Sequence, residues 1–249
     1  MTSEVTIMIA AFSPWWFVFL TLAAAGLVLS RLLLGKKSRK IQLRFLLIVG
    51  IVVLVYLAVY KICLSFDATY DFSWWNELPL NLCNLAPIFL ILAAAFDKKP
   101  LFSYLYFNCT LGALVALVAA EVEFIDVKLL SARGLGYWGF HFLVLFLALA
   151  PIVIGTYRPR YRDILPSAGL IFLSAAIAHG VNVLMRATVY EKANFFFTFG
   201  LEGNPIAEPL YNLLPVPLLW LIPVLPIYIA VGALMVTLTF PWKDRKKEK

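Results

Sequence analysis

Residues 41–62 read IQLRFLLIVGIVVLVYLAVYKI, and the only charges among these 22 residues are Arg44 and Lys61, one near each end. As a helix they rise roughly 33 Å at about 1.5 Å per residue, enough to cross the hydrocarbon core of a bilayer. Hydrocarbon offers no water to a backbone N–H or C=O, so an apolar run of this length satisfies its backbone only as a helix. This stretch therefore decides the fold class.

Working outward, the chain repeats the pattern at 8–34, 78–96, 101–120, 137–156, 164–186 and 217–240. Of its 249 residues 63% are hydrophobic and 14% charged, and the mean hydropathy is +0.89. Soluble domains are near 45–50% apolar and about a quarter charged. The reading is an all-α, polytopic transmembrane helix bundle of about seven spans, a single domain over 1–249. The first run lacks a basic leader before it, so it reads as a retained helix that starts near Trp15-Trp16.

Lysine and arginine set the orientation. The loops after the first, third and fifth runs, their flanks and the tail hold 16 of the 21 basic residues, among them Lys36, Arg39, Lys98, Arg158 and Lys243. The other side holds five: Lys61, Lys128, Arg133, Arg186 and Lys192. The positive-inside rule then puts the N-terminus outside and the tail in the cytoplasm, and this alternation needs an odd number of spans. The net charge of +7 belongs to these flanks and forms no separate face, which excludes nucleic acid as a partner. Membrane lipids are the expected partners, and 36–40 and 243–249 are the segments placed to touch anionic head groups. The expected location is the plasma membrane, as a multi-pass protein.

Polar side chains inside spans are the candidates for function. The third run opens Asn76-Glu77-Leu78-Pro79-Leu80-Asn81-Leu82-Cys83-Asn84, with Asn76 or Glu77 read as helix cap and Pro79 in the first turn. Only two histidines occur. His141 lies early in the fifth run, on the stripe of Tyr137, and His179 lies in the sixth, with Asn182 and Arg186 on the same face. Cys83, His141 and His179 come to one depth, roughly 6–11 Å below the outer ends of their spans. A thiol with a histidine base is the pattern of nucleophilic catalysis, and at that depth the reachable electrophile is a lipid acyl ester. Asn81 and Asn84 are placed to steady an oxyanion, and Asn182 and Arg186 to bind substrate. The competing account makes Cys83 a packing residue and the polar groups interhelical glue. No cofactor and no metal is implied: the three cysteines, Cys63, Cys83 and Cys109, show no zinc spacing.

The run Leu78-Pro79-Leu80-Asn81-Leu82-Cys83, with His141-Phe142-Leu143 later and a proline-rich approach to the last helix, resembles the YwaF-like family of bacterial integral membrane proteins. The resemblance covers most of the chain. A distant eukaryotic branch contains a multipass phospholipid acyltransferase, so the resemblance implies acyl transfer with Cys83 as nucleophile. Relatives carry a histidine beside that cysteine or two before it. Here those places are Asn84 and Asn81, which leaves His141 or His179 as base. A small-solute or lipid transporter and a non-catalytic membrane partner are the alternatives. The absence of an inverted repeat and of a mid-membrane carboxylate weighs against transport.

Overall fold

The computed structural model describes residues 7–120, 124–200 and 207–239. The basic tail at 243–249, the end of the last run and the acids at 121 and 123 lie outside them. Eight helices carry the described chain: α1 (Pro14–Leu34), α2 (Arg39–Leu64), α3 (Leu82–Phe96), α4 (Lys99–Val118), α5 (Gly134–Val153), α6 (Tyr161–Thr188), the short α7 (Ala207–Leu213) and α8 (Val224–Thr239). Five of them, α1, α2, α4, α5 and α6, are long and apolar enough to cross a membrane, and α3 and α8 are shorter apolar helices. The architecture is an all-α polytopic bundle.

Helices α4 and α5 form its centre, and α1 lies at the edge with most of its surface exposed. Each central helix contains one π-helical turn, Leu105–Cys109 in α4 and Gly134–Gly139 in α5. Such turns are rare and gather at functional sites. Every residue of the first is buried, including Asn108 and Cys109. Helix α2 packs along α3, and Gly50 makes the approach possible: a Cβ there would meet Ile91 Cγ1 at 2.8 Å.

Local contacts set the helix starts, and the third differs from the sequence reading. The first helix begins at Pro14, capped by Ser13, because Met8–Ile9 (β1) pairs antiparallel with Val127–Lys128 (β2). The third begins at Leu82, so residues 77–81 share no helical stripe and neither Asn76 nor Glu77 is its cap. Asn81 is the cap residue, and Pro79 lies ahead of the helix. Glu77 is committed elsewhere: its carboxylate pairs with Lys61 and accepts the Tyr70 hydroxyl at 2.7 Å. A buried carboxylate finds a cation before it caps a helix. In the neighbouring loop Asp67 binds Thr69 and Arg133, and those bonds hold its carboxyl below the usual range, Thr69 contributing most. At the other end, Asp97 closes α3 in the left-handed region (φ 50°) and takes Arg39 Nε at 2.7 Å, which likewise depresses its carboxyl.

Candidate functional site

Cys83 is the second residue of α3 and half-buried. Backbone N–H groups in a first helical turn have no intrahelical acceptor, so this end of α3 favours an anion. A Cβ on Gly112 of α4 would meet Leu82 Cδ2 at 2.7 Å, so that glycine lets α4 pass close to the start of α3, and the Cys83 Sγ lies 3.7 Å from the same point. Tyr104 and Cys109 of α4 lie within electrostatic reach of Cys83. The three cysteines form no disulfide.

Asn81, just before the thiol, does not cap its own helix with its side chain. Its carboxamide oxygen instead accepts the N–H of Phe196, 115 residues further on, at 2.9 Å. Phe196 and Phe197 both have positive φ, 55° and 50°. Bulky residues pay about 1–3 kcal/mol each for that backbone and keep it only where surrounding bonds fix it. Those bonds are present. Asn182 of α6 accepts Phe195 N–H at 2.8 Å and donates to Phe195 O at 2.8 Å. Asn194 accepts Phe199 N–H at 2.9 Å and donates to Gly200 O at 2.8 Å.

The same segment holds His179. Its Nδ1 is 3.0 Å from Thr198 Oγ1, and Thr198 also accepts Asn182 Nδ2 at 2.9 Å. The imidazole lies against Phe199, 5.0 Å between ring centres, and the Arg186 guanidinium covers the same phenyl ring. Arg186 also donates to Ala193 O at 3.2 Å. A histidine whose Nδ1 is held by a partner presents Nε2 in a fixed direction, the arrangement a general base requires.

Asn81, His179, Asn182 and Arg186 thus meet around residues 193–200. His141 belongs to another neighbourhood. Its Nδ1 is 2.7 Å from Tyr137 O, one turn back on α5, its ring lies 4.4 Å from that of Tyr137, and Lys61 is in electrostatic reach. Asn84 is buried in the first turn of α3.

Two groups escape a sequence reading. Thr198 and Asn194 carry no motif, because their role arises only when the loop folds back on α6. Around the π turn of α4, Tyr104 Oη, Asn108 Oδ1 and Thr110 Oγ1 are buried without a hydrogen-bond partner among the described residues. Asn108 Nδ2 does reach Ser167 Oγ at 2.9 Å. Buried polar atoms left open in a bundle core are where a water or a polar substrate atom fits.

No curated protein and no solved structure matches the chain, and the comparisons do not support the YwaF-like name or a likeness to an acyltransferase. What stands of that resemblance is its coarser part, a multipass membrane family. The model of the TMEM164 family matches residues 11–241, which include every described helix, and the chain belongs to the TMEM164 family.

Proposed function

We propose that this membrane protein is a cysteine-dependent acyltransferase acting on phospholipid acyl chains near the outer face of the plasma membrane. The reading takes all seven apolar helices as spans, with the N-terminus outside. One observation supports it above the others: the bond from Phe196 N–H to Asn81 ties the start of α3, where Cys83 sits, to the loop that orients His179.

In the proposed cycle His179 Nε2 takes the thiol proton and Cys83 Sγ attacks the acyl ester carbonyl. The carbon–sulfur bond forms, the ester carbon–oxygen bond breaks, and the departing lyso-lipid oxygen takes the proton back from the imidazolium. An acceptor hydroxyl, deprotonated by the same base, then attacks the thioester and frees the thiol. The oxyanion of each step is met by first-turn N–H groups of α3. His141 is the base in the competing version, and its Nδ1 bond to Tyr137 O leaves Nε2 open there too.

The test is acyl exchange in vesicles that contain the purified chain, a phospholipid donor and a lyso-lipid acceptor with a different head group. Cys83→Ala is expected to abolish exchange, and Cys109→Ala to leave it. His179→Asn should lower the rate by about 10²–10⁴-fold, the usual worth of a general base. Loss with His141→Asn and not with His179→Asn would move the base to α5. Wild-type protein that exchanges no acyl chain with any mixture would return Cys83 to a packing role.

A further inference from the structure

At the end of α3 remote from Cys83, the last turn reads Ala93-Ala94-Ala95-Phe96 where the first turns of α2 carry Arg39, Lys40 and Arg44. Gly50 brings the two helices together in their middle. Beyond it the alanines are too small to fill the space, and a cleft of about 370 Å³ remains. Its walls are Leu43 and Leu47 of α2 with Ala94 and Ala95 of α3, and its basic residues are Arg39, Lys40 and Arg44.

The charges there are unequal in what they do. Arg39 is used internally: it grips Asp97 and donates to Thr156 O at 2.9 Å. Lys40 and Arg44 are exposed, and neither is ion-paired with a described residue. Arg44 lies about 7.5 Å into α2, beside apolar walls. An arginine at that depth is costly unless an anion joins it or its head reaches the interface.

We propose that this cleft is a binding site for one anionic phospholipid. Its phosphate lies between Lys40 and Arg44, and one acyl chain runs along Leu43, Leu47 and Ala95. Charge complementarity selects the occupant: two cations remain after Asp97 is neutralised by Arg39, and a lipid of net charge −1 or −2 matches them where a zwitterionic lipid does not. The apolar walls exclude free phosphate, which would leave them uncovered. The site is independent of the proposed chemistry, since Ala94 is eleven residues, roughly 17 Å of helix, from Cys83.

The experiment counts bound lipids by native mass spectrometry on the purified full-length protein, titrated with dioleoylphosphatidylglycerol or dioleoylphosphatidylcholine. One phosphatidylglycerol should be retained with about tenfold or greater preference. Lys40→Gln with Arg44→Gln should erase that preference, whereas Lys128→Gln with Lys192→Gln, an equal charge change at exposed lysines outside the cleft, should keep it. Ala95→Leu, at an exposed position, should weaken retention with all charges in place. Equal loss in both glutamine pairs would reduce the effect to general surface charge and overturn the proposal, as would retention by the Lys40/Arg44 pair. Displacement of the lipid by millimolar inorganic phosphate would also overturn it, by making the site one for the phosphate alone.

Discussion

At the scale of single residues, the largest stake is the ion pair between Lys61 and Glu77. The Glu77 side chain is 5% exposed and that of Lys61 16%, so each charge relies on the other, and Glu77 also on the Tyr70 hydroxyl. Removing one partner of a buried pair leaves an uncompensated charge and costs about 3–5 kcal/mol, whereas removing both together is far cheaper. Lys61→Met should therefore lower the melting temperature markedly, and Lys61→Met with Glu77→Gln should recover most of the loss in the same thermal scan. A double variant no better than the single would show that Glu77 draws its stability from another source. Sequence alone made Asn76 or Glu77 the helix cap, because a polar residue shortly before a proline at a helix start is a good local signal. Burial beside Lys61 is a tertiary fact and outranks it. The face shared by His179, Asn182 and Arg186 was legible from their spacing, and all three do bond or stack to residues 193–200. Their partner Thr198 was not legible, since the backbone that presents it bends at Phe196 and Phe197 against the preference of phenylalanine.

At the scale of elements, apolar runs of bilayer length identify the helices, while caps and π turns stay hidden. Hydrophobic content is a sum over many residues and survives local exceptions. A helix start depends on one or two bonds, as at Leu82. The π turn at Gly134–Gly139 shows why its composition matters. A Cβ on Gly136 would meet the Tyr60 ring at 1.9 Å, so α2 approaches this turn too closely for any side chain. Gly136→Ala should push Tyr60 aside and cost about 1–3 kcal/mol, the usual penalty of overpacking. Gly180→Ala on α6 is the control, because a Cβ there meets nothing within 4 Å. Equal stability of the two variants in a thermal scan would show that Tyr60 moves freely and that the close approach is not structural.

At the scale of the whole molecule, the bundle distributes its groups between two ends: the α3 start with Cys83, and the cleft where α2 begins and α3 ends. The charge count orients these ends, and cysteine-accessibility mapping tests it. Cysteines introduced at Lys37 and Lys98 should react only after the membrane is permeabilised from the cytoplasmic side, and one at Ser73 should react from outside. Labelling of Lys98 and Ser73 positions from the same side would break the seven-span alternation. The acyl transfer proposed at the Cys83 end has its own direct measurement, peptide mass mapping of the purified protein after incubation with phospholipid. The account predicts an acyl group on Cys83, removed by neutral hydroxylamine as a thioester is, together with released lyso-lipid. It predicts none on Cys109, which is fully buried in the π turn of α4, and none in Cys83→Ala. Cys83→Ser should be nearly inert, because a hydroxyl ionises far less readily than a thiol. Wild-type protein that carries no acyl group on Cys83 after exposure to every phospholipid class, while Cys83→Ala unfolds more easily, would contradict the account and leave Cys83 as part of the packing.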